Sequence, residues 1–130
     1  MSHDPCLLLV EPDLAVRIPL AEYLRDCGYR VLEAITTDEA VMILRESGMP
    51  VAVILTVVDA PGQFDGFGLA KWVRQNGLGI EVILSGSIAR TAEKAGDICE
   101  DGPAMAKPYD HQILLNRIKA LIAARDRAKD

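Results

Sequence analysis

Along this chain, short apolar runs alternate with longer stretches in which apolar residues recur every three or four positions. The runs occupy residues 6–10, 29–34, 51–58 and 80–84, with a weaker one at 104–106. Most are nearly continuous and rich in Val, Ile and Leu, as expected of parallel strands covered on both faces. The stretches between them read as helices. Leu14, Ile18, Ala21 and Leu24 recur at spacings of four and three, which places them on one face of a first helix. A second helix begins near Thr36, whose spacing to Glu39 is that of a capping box. It ends near Ser47-Gly48, where glycine permits a left-handed turn. A third covers 66–76 and stops at Asn76-Gly77, and an alanine-rich fourth covers 89–99. The fifth, 110–124, carries the stripe Leu114, Leu115, Ile118, Leu121 and Ile122. Pro19 breaks the local logic. Inside the first helix it removes a hydrogen bond to Ala15 and costs ~3 kcal/mol, so a bend or an irregular first turn is expected.

Five strands alternating with five helices predict an α/β fold, a doubly wound parallel sheet with right-handed crossovers. The 130 residues suit one domain spanning 1–130, and no repeat, low-complexity tract or linker interrupts them. The formal charge of −5, with Lys and Arg clustered only at 125–129, disfavours nucleic acid and anionic membranes as partners. No apolar stretch approaches the ~20 residues that span a bilayer, and nothing near Met1 resembles a secretory signal. Cys6, Cys27 and Cys99 are odd in number and widely spaced, a pattern that predicts reduced thiols in a cytoplasmic protein and no disulfide framework. A metal site is not expected either, because no two cysteines stand close and His3 lies far from His111.

Sites in open parallel sheets form beyond the carboxyl ends of the strands. The first run ends in Glu11-Pro12-Asp13 and the third in Val57-Val58-Asp59, followed by Ala60-Pro61-Gly62. The fourth ends in Ser85-Gly86 and the fifth in Lys107-Pro108. Singly these residues have ordinary explanations. Asp13 suits a helix N-cap, Glu11 the same positive helix end, and Asp59 a turn. Their joint placement brings carboxylates, a hydroxyl and an ammonium group to one sheet edge.

At this point the chain resembles a response-regulator receiver domain. The resemblance rests on 7–11 and 21–34, on Pro61-Gly62 followed by Asp65-Gly66, and on Ser85-Gly86 and Lys107-Pro108 in order. It covers essentially the whole chain and implies strand order 2-1-3-4-5 with helices on both faces, the flavodoxin-like arrangement. Receivers hold Mg²⁺ with an acidic pair after the first strand, and accept a phosphoryl group on an Asp four residues before the Pro of a Pro-Gly turn. Glu11 matches the first acid, but Pro12 stands at the second and Val57 at the acceptor. Ser85 and Lys107 match the hydroxyl and the lysine that contact the phosphoryl group. Ala104 stands where an aromatic switch residue is usual.

The resemblance therefore implies a single-domain receiver whose pocket (Glu11, Pro12, Asp13, Val57, Asp59, Ser85, Lys107) has lost its nucleophile and Mg²⁺ ligands. Weak or absent Mg²⁺ binding, no other cofactor and no enzymatic activity are expected. The implied partners are a histidine kinase, another response regulator or a second copy of the chain. They would dock on a face built by helix four, strand five and helix five, with Ile113 exposed beside Ala104. A cis Lys107–Pro108 bond is implied too, with Lys107 turned toward Glu11 or Asp13. The alternative is a phosphate acceptor or sink using a displaced acid, Asp59 or Asp13. A flavodoxin-like redox protein would need a Ser/Thr/Gly-rich first loop, which Glu11-Pro12-Asp13-Leu14 does not supply. Neither histidine lies near a nucleophile, which disfavours a hydrolase.

Overall fold

The computed structural model describes residues 6–100. Four strands alternate there with four helices: β1 (Cys6–Val10), α1 (Leu14–Asp26), β2 (Arg30–Ala34), α2 (Thr37–Glu46), β3 (Val51–Val57), α3 (Gly66–Gln75), β4 (Glu81–Ser85) and α4 (Ile88–Glu100). The strands pair in parallel in the order β2-β1-β3-β4, which agrees with the expected order as far as it reaches. The strand at 104–106, the helix at 110–124, and with them Ala104, Lys107, Pro108 and Ile113, lie outside the described residues.

Strand β1 is central, and all of its residues are buried. Side chains alternate across a strand, so Leu7 and Leu9 enter one apolar layer with α1 and α4. Cys6, Leu8 and Val10 enter the opposite layer with residues of α2 and α3. Helices thus cover both faces, and the carboxyl ends of the strands are left at one edge.

The helix caps follow the sequence closely. Thr36 Oγ1 accepts the Glu39 N–H at 3.0 Å, and Glu39 reaches back to the N–H of Ile35, one residue before the usual capping-box partner. Gly48 closes this helix with φ +69. Asp13 caps α1 by accepting the Ala15 N–H at 3.0 Å.

The buried side of α1 differs from the expected one. Leu14 is 60% and Ile18 41% exposed, and the buried residues are Val16, Pro19, Leu20, Ala21, Tyr23 and Leu24. Spacings of three and four fit both stripes. The cap at Asp13 and the course of the chain into β2 turn the Val16–Leu20–Leu24 side toward the sheet, and Leu14 and Ile18 lie two residues, or about 200°, away from it. Pro19 sits buried within a helix assigned from Leu14 onward. Its first turn is closed by the Val16 and Arg17 N–H groups, which share Asp13 O at 3.0 and 2.8 Å, and Pro19 has no N–H to donate to Ala15 O.

The expectation of three reduced thiols is also corrected. Cys27 and Cys99 form a disulfide although 72 residues separate them, and only Cys6 is a free cysteine among the described residues. Sequence spacing cannot register this proximity. It arises because α1 and α4 pack side by side on one sheet face, which brings the two Cα atoms to 5.4 Å.

Candidate functional site

Glu11 follows β1 directly and is 7% exposed. Its Oε2 accepts the Asp13 N–H at 3.1 Å, and its own N–H donates to Ala34 O at 3.0 Å. Arg17 fastens the same segment from α1: its Nη1 donates to Glu11 O at 3.1 Å while its Nε meets Glu33 Oε1 at 3.0 Å. Glu33 is held from the other side by Arg25, whose Nη2 lies 3.1 Å from Oε2. Two guanidiniums on α1 therefore clamp one carboxylate of β2 and fix the loop that carries Glu11. Pro12 is exposed at the top of that loop.

Burial pushes the Glu11 carboxyl above the ordinary glutamate range. The Asp13 N–H opposes this, the charges of Asp13 and Asp59 add to it, and Arg17 pulls the other way. Glu11, Asp13 and Asp59 thus form one electrostatic group. Folded Glu11 holds its proton more tightly than an unfolded glutamate does. The associated stabilisation is present below the unfolded glutamate range and is lost as pH rises through the folded value. Above the ordinary glutamate range, burial of this carboxyl therefore disfavours folding. Glu11→Gln keeps an oxygen for the Asp13 N–H and removes the charge, so thermal denaturation should show a raised midpoint at pH 7 and little change at pH 4. Equal losses at both pH values would contradict this reading.

Val57 ends β3 and lies opposite Ser85 of β4 in the parallel register. Its isopropyl group, half-buried, offers no oxygen. Asp59 is exposed in the turn two residues further on. The turn is fastened to α2 by Thr37, which is fully buried: its N–H donates to Pro61 O at 2.9 Å and its hydroxyl to Phe64 O at 2.7 Å. Asp59 is therefore carried on an anchored loop.

Ser85 is 2% exposed, and its hydroxyl is already engaged. It lies against the Thr91 hydroxyl, and both hydroxyls are within reach of Ser87 O, at 3.1 and 2.8 Å, so their two hydrogens are shared among these three contacts. Thr91 stands near the start of α4, so the helix is tied to the end of β4. The sequence reading missed Thr91 and Arg17. A hydroxyl four residues after Ser87 was the only hint of the first, and nothing local points to the second.

The edge thus holds the acids Glu11, Asp13 and Asp59, and beside them the Val57–Ser85 pair. Among the described residues, no group of three or more His, Cys, Asp or Glu side chains is placed to hold a metal ion. Mg²⁺ needs several hard oxygen ligands at short range. Pro12 and Val57 supply none, so the donor set does not fit the ion that receivers use.

A Chloroflexus aurantiacus protein assigned as a response regulator is 31% identical to this chain, with a TM-score of 0.58, covering 93% of this chain and 99% of its own. The chain belongs to the response-regulator receiver family. Its receiver fold also matches the chemotaxis response regulator CheY4 of Vibrio cholerae (TM-score 0.60, 21% identity, 92% of this chain and 99% of that one). The signal receiver domain of a Vibrio parahaemolyticus LuxO repressor protein is similar at TM-score 0.59 and 20% identity, over 98% and 99% of the two chains. Among curated proteins, the transcriptional regulatory protein AruR of Pseudomonas aeruginosa is 31% identical over 126 residues, 94% of this chain. The chain spans 51% of the length of that relative. No protein-family model matches the chain. Receivers are signalling domains of two-component systems, and this chain has their fold. Of the expected partner face, only α4 is among the described residues. Arg90, Glu93 and Asp97 are exposed on it. No helix among the described residues is long and apolar enough to cross a membrane.

Proposed function

We propose that this receiver works in the cytoplasm as a phosphorylation-independent protein-binding module of a two-component pathway. The observation that carries the reading is Val57 at the end of β3. Phosphoryl transfer to a receiver needs a carboxylate nucleophile, and the position facing Ser85 has an isopropyl group instead. Pro12 in place of a metal ligand and the engaged Ser85 hydroxyl support the same conclusion. The partners are a histidine kinase, another response regulator or a second copy of the chain, with Ile113 on the predicted fifth helix and Ala104 beside it as the docking face. The chain acts by occupancy of that face and carries no enzymatic activity.

One observation favours a second reading. The charge of Asp59 acts on Glu11, so Asp59 belongs to the acidic group and could serve as a displaced acceptor. Binding of the purified chain to a histidine-kinase core and to itself separates the two readings, measured with and without acetyl phosphate and Mg²⁺. Binding to at least one of them, with equal affinity in both conditions and weakened by Ile113→Glu, is expected. An affinity that shifts by about tenfold, or 1.4 kcal/mol, on adding the phosphodonor would overturn the proposal.

A further inference from the structure

Helix α4 is held at both ends by different chemistry. Near its start, Thr91 is hydrogen-bonded to Ser85 and to Ser87 O. At its last turn Cys99 is bonded to Cys27, the C-cap of α1, and the neighbouring Ile98 O accepts the Tyr29 hydroxyl at 2.9 Å. Thr91 and Cys99 are about two helical turns apart, roughly 12 Å along a stiff rod. Between these ties α4 buries only small or few apolar groups: Ala92, Ala95 and Ile98. Apolar burial scales with area, so such a helix is weakly held by packing alone. A cleft of about 290 Å³ beside it, lined by Tyr29, Val53, Ile83, Lys94 and Ile98 among others, leaves room on the β4 side.

We infer that the Cys27–Cys99 pair is a thiol–disulfide switch that fixes or releases α4 and so reports redox state to the Ser85–Thr91 edge of the sheet. The inference takes only the cytoplasmic placement from the reading above and does not depend on loss of phosphorylation. Disulfides in reducing cytosol are mostly transient, catalytic or redox-sensing. Cys6 does not compete: it lies in the opposite apolar layer, and burial pushes its thiol up and away from the reactive thiolate.

The co-reactant is a small or protein dithiol. Its first thiolate attacks the sulfur of Cys99, which is 6% exposed where Cys27 is fully covered. The Cys27–Cys99 bond breaks, a mixed disulfide forms on Cys99, and Cys27 leaves as a thiolate that takes up a proton. The second thiolate of the dithiol then displaces Cys99. Two electrons and two protons pass to the chain, and the dithiol becomes a disulfide. Oxidation by a partner disulfide runs the same steps in reverse. With the bond open, the last turns of α4 depend on Tyr29 and Ile98 alone, and motion of the rod is transmitted to Thr91.

Thiol counting and hydrogen exchange on the full chain test the inference. Alkylation in denaturant should label one cysteine in the oxidised chain and all three after dithiothreitol. Across glutathione mixtures from mostly reduced to mostly oxidised, the count should pass from three to one. A count fixed at one in every mixture would make the bond a permanent staple, and a count fixed at three would remove it. Either result overturns the switch. On reduction, amides of 88–100 should exchange about tenfold faster while β1 and β3 keep their protection. Unchanged α4 rates, or simultaneous loss of protection throughout, would also overturn it. Cys99→Ser, and independently Cys27→Ser, should reproduce the reduced exchange pattern without reductant. A phosphoadduct on the chain would refute the phosphorylation-independent reading and leave these outcomes untouched.

Discussion

Reduction of the Cys27–Cys99 bond should lower the unfolding free energy by about 4 kcal/mol and the thermal midpoint by roughly 15 °C. The bond joins residues 72 apart in sequence, so opening it restores much conformational freedom to the unfolded chain. Chain-entropy estimates rise only logarithmically with loop length and give a value of that size for a loop this long. The reduced state should remain folded, because Cys27 and Cys99 share their apolar layer with Leu7, Leu9, Leu20, Leu24 and Leu55, whose burial stabilises the fold without the bond. Paired denaturation curves with and without dithiothreitol provide the check. A midpoint shift below about 2 °C would show that α4 is held by its packing and the Tyr29 hydrogen bond, with the disulfide contributing little.

The second large effect concerns the missing nucleophile. On the proposed reading the unmodified chain takes up no phosphoryl group, and replacing Val57 and Pro12 together by Asp should give one that does so in the presence of Mg²⁺. The carboxylate at 57 would face Ser85 in the register of β3 and β4, and the one at 12 would stand beside Glu11 on an exposed loop that tolerates it. Catalysis of this transfer is largely positioning and charge stabilisation. Val57→Asp alone should therefore be slower than the double variant by about a hundredfold, since the metal would still lack a ligand. Without Mg²⁺ the added carboxylates crowd Glu11, Asp13 and Asp59, so the double variant should be destabilised by about 1–3 kcal/mol and partly recover on adding the ion. Equal labelling of the single and double variants would show that position 12 plays no part in metal binding.

How much of this was legible in the sequence depended on the range of the interaction. Strands announced themselves as continuous apolar runs because β1 and its neighbours are covered on both faces. The β2-β1-β3-β4 order followed from the family resemblance. Caps at Asp13 and Thr36 and the turn at Gly48 were readable because each is a bond within a few residues. The buried side of α1 was not, since two stripes satisfied the same spacing and only the packing against the sheet chose between them. The Cys27–Cys99 bond, the Arg17–Glu33–Arg25 clamp and the Ser85–Thr91 contact all join separate elements, and no local pattern encodes them. At the sheet edge, Val57 and Pro12 were visible by counting along the chain. The buried state of Glu11 and the prior engagement of the Ser85 hydroxyl required the folded geometry.

The central claim is that Val57 leaves this receiver with no phosphoryl acceptor. Asp59 is the nearest rival. It lies two residues beyond Val57, exposed in the turn that leaves β3, whereas Val57 itself pairs with Ser85 in the strand register. Intact-mass spectrometry of the unmodified chain after acetyl phosphate and Mg²⁺ tests the claim most directly. The account predicts an unchanged mass under conditions in which the Val57→Asp, Pro12→Asp variant gains one phosphoryl group. A stoichiometric, Mg²⁺-dependent adduct on the unmodified chain, mapped to Asp59 or Asp13, would contradict it.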